Sequence, residues 1–371
     1  MGSFLRVLAV VSLVPLFTAC DSGGPPDATG AGTAVSAASE PCRDRDAPAV
    51  VMSRNLYLGA ALGGVVAAQS QAAFLAATTE VWSTVVGNDF HQRARLLADE
   101  IARARPSVVG LQEAYLWRSQ HPYDPTSAAT KVEYDYVAEL LQALEARGER
   151  YEVAESLELF DFEAPTLPAF DEVRMTDRQV ILVRAGVEHR NARGALYSVL
   201  LPVQVLTTTV PVKRGWTAVE VKLDGRWVTF FDTHTESFYA PVRVAQGMEL
   251  AAILAATPGD VILVGDLNSL PGTEAAASVA GAGFTDAWAA LHPRKAGFTC
   301  CWPEALAETT PGLDQRIDYV FSRGLRPQTI QIVGDEPRDH RTGLWPTDHA
   351  GLVARLKFAK APHGDDDGRD D

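Results

Sequence analysis

The sequence predicts a mixed α/β fold whose sheets are not purely parallel. Apolar runs of strand length alternate with amphipathic helical segments, the pattern of layered sheet and helix. An Asp-Gly pair at 224–225 joins two such runs, and that pair signals an antiparallel hairpin. Across 371 residues, 47% are hydrophobic, with Gly and Pro spread throughout, which is enough apolar material for a large core.

The N-terminal stretch MGSFLRVLAVVSLVPLFTAC has one Arg, then an apolar run from Val7 to Phe17, then small residues up to Cys20. That run is too short to cross a bilayer comfortably and fits the apolar region of an export signal. FTAC has the form of a bacterial lipobox. Residues 1–20 are therefore expected to be a lipoprotein-type signal peptide, with a lipid on Cys20 anchoring an exported protein to a membrane. A plain secretory signal cut nearby is the alternative. Residues 21–46, rich in Gly, Pro, Ala and Ser, bury little and read as a flexible tether. Residues 47–358 show no composition break and no internal repeat, and read as one domain. Residues 359–371 form an acidic tail, which reads as a solvated end.

Within the domain, PAVVMSRNLYLG is a strand ending near Asn55. The Ala-rich segment 60–86 reads as a helical insertion. DFHQRARLLADEIARARP has helical spacing, with Phe90, Leu97 and Ile101 on one side and Pro106 after its end. It feeds SVVGLQEAY, a strand ending at Glu113. VEYDYVAELLQALEARGER reads as an amphipathic helix stopped around Gly148, and residues 155–175 as an irregular loop near the site. RQVILVRAGV is a buried strand. The two runs flanking Asp224-Gly225 are the hairpin, and VRVAQGMELAAILAATPGD is a helix leading into VILVGDLNSLPG. QRIDYVF and GLVARLKF close the set as strands.

A net charge of −14 disfavours a protein that holds nucleic acid through a broad basic face. It does not exclude a nuclease, because a metal site can supply positive charge locally. With Cys20 lipidated, three cysteines are left, and three cannot all pair within the chain. Cys42 with one of Cys300 and Cys301, or Cys300 with Cys301, are both open. TCCW lacks the spaced Cys and His partners of a metal site.

Polar residues stand at the ends of these runs: Asn55, Glu113, His234, Asp266 with Asn268, Asp318, and Asp348 with His349. For any one of them alone, a turn, a cap or a hydrogen-bonded structural residue is the ordinary explanation. Eight in this order and setting are hard to attribute to caps. Asp266 and Asn268 lie two apart, and strand alternation would send both side chains the same way.

The series RNLYLG, GLQEA, DTHTE, VGDLNS, RIDYVF and PTDHA resembles the endonuclease/exonuclease/phosphatase superfamily of DNase I, AP endonucleases, bacterial sphingomyelinases and inositol-polyphosphate 5-phosphatases. The resemblance spans about residues 48–358. It implies a DNase I-like four-layer αββα sandwich, two mainly antiparallel sheets flanked by helices. It also implies a phosphoesterase, exported if residues 1–20 are the signal they resemble, that uses Mg²⁺, or Mn²⁺, for in-line attack of water on phosphorus. By resemblance, Glu113, Asn55 and Asp348 serve the metal. Asp266 would activate the water and Asn268 would donate to a phosphoryl oxygen. His349 would contact the scissile phosphate, oriented by Asp318, and His234 matches the family's other histidine.

Tyr57 departs from the polar residue the family often has there, and NLYLG is closer to bacterial sphingomyelinases. Asp177 and Arg178 are substrate-side candidates, with a plain surface ion pair as the other reading. Trp117, Trp302 and Trp345 fit core packing better than a substrate groove. A phosphodiester is favoured because no Lys/Arg cluster for a polyphosphorylated ring is evident; nucleic acid and phospholipid head groups are both open as partners. The rivals are a phosphomonoesterase of the inositol-phosphate type and a non-catalytic tethered binding protein on the same fold. A monomer is expected.

Overall fold

A computed structural model describes residues 48–307, 312–335 and 341–359. The expected signal peptide with Cys20, the tether with Cys42, and the acidic tail beyond Ala359 lie outside the described residues.

The first strand, β1 (Ala49–Asn55), is followed by three helices: α1 (Gly63–Ala67), α2 (Gln71–Gly87) and α3 (Phe90–Ala104). The Ser70 side chain caps α2 by accepting from Ala73 N. Helix α3 buries Phe90, Leu97 and Ile101 and ends at Arg105, a left-handed residue ahead of Pro106. Strands β2 (Val108–Gln112), β3 (Leu116–Gln120) and β4 (Lys131–Asp135) come next. Helix α4 (Tyr136–Glu145) begins later than expected, because residues 131–135 pair with β3 and the Asp135 carboxylate caps the helix.

A larger correction concerns residues 155–175. They are no loop but most of a long hairpin, β5 (Tyr151–Thr166) with β6 (Asp171–Arg184). The alternation in LELFDF changes phase between Leu159 and Phe160, where the pairing with β6 shifts register, and the acids and prolines around it masked the strand further.

The chain continues through β7 (His189–Leu196), β8 (Leu201–Val205), β9 (Thr208–Val212), β10 (Gly215–Leu223) and β11 (Arg226–His234). Asp224 and Gly225 both have positive φ, 48° and 75°, the two-residue turn this dipeptide favours. Helix α5 (Ala240–Ala256) leads to β12 (Val261–Asp266). Then come α6 (Glu274–Gly281), β13 (Thr285–Asp286), α7 (Ala287–Leu291), β14 (Asp318–Arg323), β15 (Leu325–Val333) and β16 (Gly351–Phe358).

One sheet has the order β15-β16-β1-β2-β6-β3-β4, with β5 added on β6; the other runs β13-β14-β12-β11-β10-β7. Pairing is antiparallel except for β1 with β2 and β11 with β12. Strand alternation builds four layers. Val51, Val108, Phe230, Ile262, Val264 and Val320 meet between the sheets. Their neighbours Met52 and Val109 face α3 and α4, while Phe231, Leu263 and Phe321 face α5 and α6. The sheets approach so closely at Gly110 that a Cβ there would lie 2.5 Å from Val264. Trp117 is core, as expected, and Trp302 stacks on Trp345 in a small cluster with Tyr57.

Candidate active site

The same alternation that builds the inner core delivers polar side chains at its edge. His234 pairs with Asp266 across β11 and β12, and Asp266 with Asp318 across β12 and β14. The three therefore share one face. Each lies an even number of residues from an inward-facing Phe230, Val264 or Val320, so that face is the inner one. In the opposing sheet, Asn55 ends β1 with the parity of inward-facing Val51.

Glu113 has the parity of an outward residue, but its φ is +53°, a left-handed conformation costly for a residue with a Cβ. In that conformation its carboxylate meets Asn55: Asn55 Nδ2 donates to Glu113 Oε1 and to Asp266 Oδ2, both at 3.2 Å. Glu113 Oε2 accepts from Leu58 N at 2.7 Å, and Asn55 Oδ1 from Tyr57 N at 2.8 Å. One buried carboxamide thus ties the two sheets together at the site.

Two histidines approach the same Asp266 oxygen. His349 places Nδ1 2.9 Å from Asp318 Oδ2 and Nε2 3.8 Å from Asp266 Oδ2. His234 places Nε2 3.6 Å from Asp266 Oδ2, and its Nδ1 is 3.0 Å from Arg214 Nη1. A guanidinium only donates, so His234 Nδ1 must hold its lone pair and Nε2 carries the proton.

Burial separates the histidines' charge states. Burial, with the adjacent Arg214 and His349, holds His234 well below the usual imidazole range, so it is neutral. Burial pushes His349 the same way, but the carboxylates of Asp318, Asp348 and Asp266 outweigh it and raise the imidazole well above that range. Burial and the nearby Asp318 push Asp266 up to about 7; burial also lifts Asp348 to about 7, against the pull of His349 and aided by Glu113.

Glu113, Asp177, Asp266, Asp318 and Asp348 gather here against Arg214 and His349 as countercharges. Asp348 Oδ1 and both carboxylate oxygens of Asp177 are buried without a hydrogen-bond partner. Asp266, Asp318 and His349 each offer a ligand atom within 4.8 Å of the others. Excess buried carboxylate with orphaned oxygens suits a hard divalent cation, which prefers oxygen ligands.

Asn268 lies beyond the end of β12, so alternation is not what aligns it with Asp266. Its φ is +45°, and its N–H donates to Asp266 Oδ1 at 2.8 Å, closing a turn on the carboxylate. Its side chain donates to Thr235 O at 3.1 Å. Asp177 and Arg178 form no surface pair. Asp177 is 1% exposed and lies 3.5 Å from Arg214; burial raises its carboxyl to about 7. Arg178 donates to Ala114 O at 2.8 Å and to Asp135 at 2.6 Å. Cys300 and Cys301 are bonded to each other.

Sequence reasoning missed three arginines. Arg214 fixes the His234 tautomer. Buried Arg93 donates to the carbonyls of Leu56, Tyr57 and Pro346, clamping the segments that follow Asn55 and precede Asp348. Buried Arg54 faces outward, pairs with Glu100 on α3 and donates to His349 O at 2.5 Å. The signal for Arg54 was an Arg inside an apolar run, a position that demands a partner.

A model described as the Endonuclease/Exonuclease/phosphatase family matches residues 82–349. Among solved structures, an endonuclease/exonuclease/phosphatase family protein from Bacteroides thetaiotaomicron is similar at 14% identity and a TM-score of 0.55, over 85% of this chain and 97% of that one. A mannosyl-6-phosphatase from the same organism is similar at 15% identity and a TM-score of 0.53, over 84% of this chain and 100% of that one. At these identities the likeness is one of fold. No curated protein matches the chain.

Proposed function

The chain belongs to the endonuclease/exonuclease/phosphatase family, whose members are phosphoester hydrolases, many dependent on metal ions, and from that premise we propose that it hydrolyses a phosphodiester with Mg²⁺ or Mn²⁺. The observation that carries this is the surroundings of Asp266 Oδ2, where the Asn55 amide and the Nε2 atoms of His234 and His349 converge within 3.8 Å. Glu113, Asp348 and Asn55 would hold a divalent cation, which when bound supplies positive charge to the phosphoryl oxygens.

Asp266, raised towards neutrality, is suited to take a proton from the attacking water. As the water oxygen bonds to phosphorus, the bond to the departing oxygen breaks. His349, kept protonated by Asp318, gives that oxygen its proton. His234, neutral with its proton on Nε2, donates a hydrogen bond and no charge. The second N–H of Asn268 is left for a phosphoryl oxygen. A diester fits better than a monoester dianion, because Arg214 already faces Asp177 and adds little uncompensated positive charge.

Hydrolysis of bis-p-nitrophenyl phosphate by the full chain, with Mn²⁺, Mg²⁺ or EDTA, tests this beside p-nitrophenyl phosphate. The diester is expected to be the better substrate, with turnover abolished by EDTA. Asp266→Ala and His349→Ala should each lower kcat/KM by about 10²–10⁴-fold. Undiminished activity in EDTA, or in either variant, would overturn the assignment.

A further inference from the structure

A cavity of about 350 Å³ opens directly beside the site and shares Glu113, Asp177, Arg214 and Asp348 with it. Its remaining walls are of another character. Val203 and Val205 of β8 and Val210 and Val212 of β9 line it, facing Phe160 and Phe162 of β5. Strands β8 and β9 form a two-stranded sheet of their own. Val203 stands opposite Val210, so alternation gathers the four valines on one face. Gln204 and Thr209 on the other face are exposed. A two-stranded hairpin is marginal by itself, and this one presents its apolar face to an open cavity rather than to the core. At the mouth, Val66 and Phe238 are 40% and 64% exposed.

We infer that this cavity receives an apolar ester substituent of the substrate, so that the hydrolysed diester is of the phospholipid class, with its phosphate at the metal and histidine site and an alkyl or acyl chain among the valines. The inference rests on the phosphodiesterase reading and narrows it. The volume is within the range of small-ligand sites. Among the described residues lining the cavity, Arg214 is the sole basic side chain, and it faces Asp177. A nucleic acid strand would bring flanking phosphates to a wall with no cation to meet them. A net charge of −14 adds to that repulsion. An alkyl chain meets what the wall offers.

The test is a series of p-nitrophenyl alkyl phosphates, methyl to octyl, hydrolysed by the full chain with Mn²⁺. Dihexanoylphosphatidylcholine and a single-stranded oligodeoxynucleotide are run alongside. At about 0.8 kcal/mol per buried methylene, kcat/KM should rise roughly fourfold per added carbon until the cavity is full. The short-chain phospholipid should be cleaved in preference to the oligonucleotide. Val203→Asp and Val210→Asp should each lower the octyl-to-methyl ratio at least tenfold, while Val203→Ile keeps it. Turnover of the methyl ester with no dependence on chain length, or preference for the oligonucleotide, would overturn this inference and leave the phosphodiesterase standing. No turnover of any ester would overturn both.

Discussion

Asp232 lies two residues before His234, fully buried between the sheets, where Gln112 Nε2 donates to one carboxylate oxygen at 2.5 Å and the other has no partner. Burial drives its carboxyl well above the usual range, only partly offset by hydrogen bonding from its neighbours, Gln112 foremost. The folded state therefore keeps a proton that the unfolded chain releases near pH 3.9. Its contribution to stability is full below that pH and is lost as pH rises towards the folded-state value. Asp232→Asn removes the titration. Denaturant unfolding should show the variant gaining on wild type above about pH 4, by up to about 1.4 kcal/mol per pH unit. Equal pH profiles would show that the carboxyl is not protonated in the folded state. At the site a different constraint acts, where Arg214, a donor that cannot accept, fixes the tautomer of His234.

Elements were legible where local chemistry forced one answer. Asp224-Gly225 supplies two positive φ values at little cost, so β10 and β11 could be read directly. Helix α3 carried both its apolar stripe and its stop at Pro106. The β5–β6 hairpin was obscured because much of it is half-exposed and charged, leaving a weak apolar period. The packing of α5 on α6 was equally silent. At Gly247 a Cβ would fall 2.4 Å from Ala275 Cα, so the helices touch through backbone. Gly247→Leu should cost about 1–3 kcal/mol by overpacking, read as a lower denaturation midpoint. An unchanged midpoint would mean the helices can separate without loss.

At the scale of the molecule, the sandwich brings the carboxylates of both sheets to one edge, where their mutual repulsion opposes folding. A divalent cation that binds only the folded chain should then stabilise it. Mn²⁺ at 100 times its dissociation constant would add about 2.7 kcal/mol, seen as a higher melting temperature. Glu113→Gln and Asp348→Asn should shrink that increment; the same increment in both variants would place the ion elsewhere. The order of these motifs along the sequence, through the family they resemble, was enough to anticipate the fold and to gather Asn55, Glu113, His234, Asp266, Asp318 and Asp348 with His349 as one group. Side-chain parity is a local property of an extended chain, so the apolar alternation already said that Asn55, His234, Asp266 and Asp318 would point inward. Glu113, turned by its left-handed backbone, and Asp348 and His349, which lie outside the strands, were not set by it. What the sequence could not carry is which strands lie side by side. Only the tertiary structure set His234, Asp266 and Asp318 in one row, tied the Asn268 side chain to Thr235 O, aimed Arg214 at His234 and opened the valine-lined cavity. Each depends on contacts between segments far apart in the chain, whose energies no single segment holds.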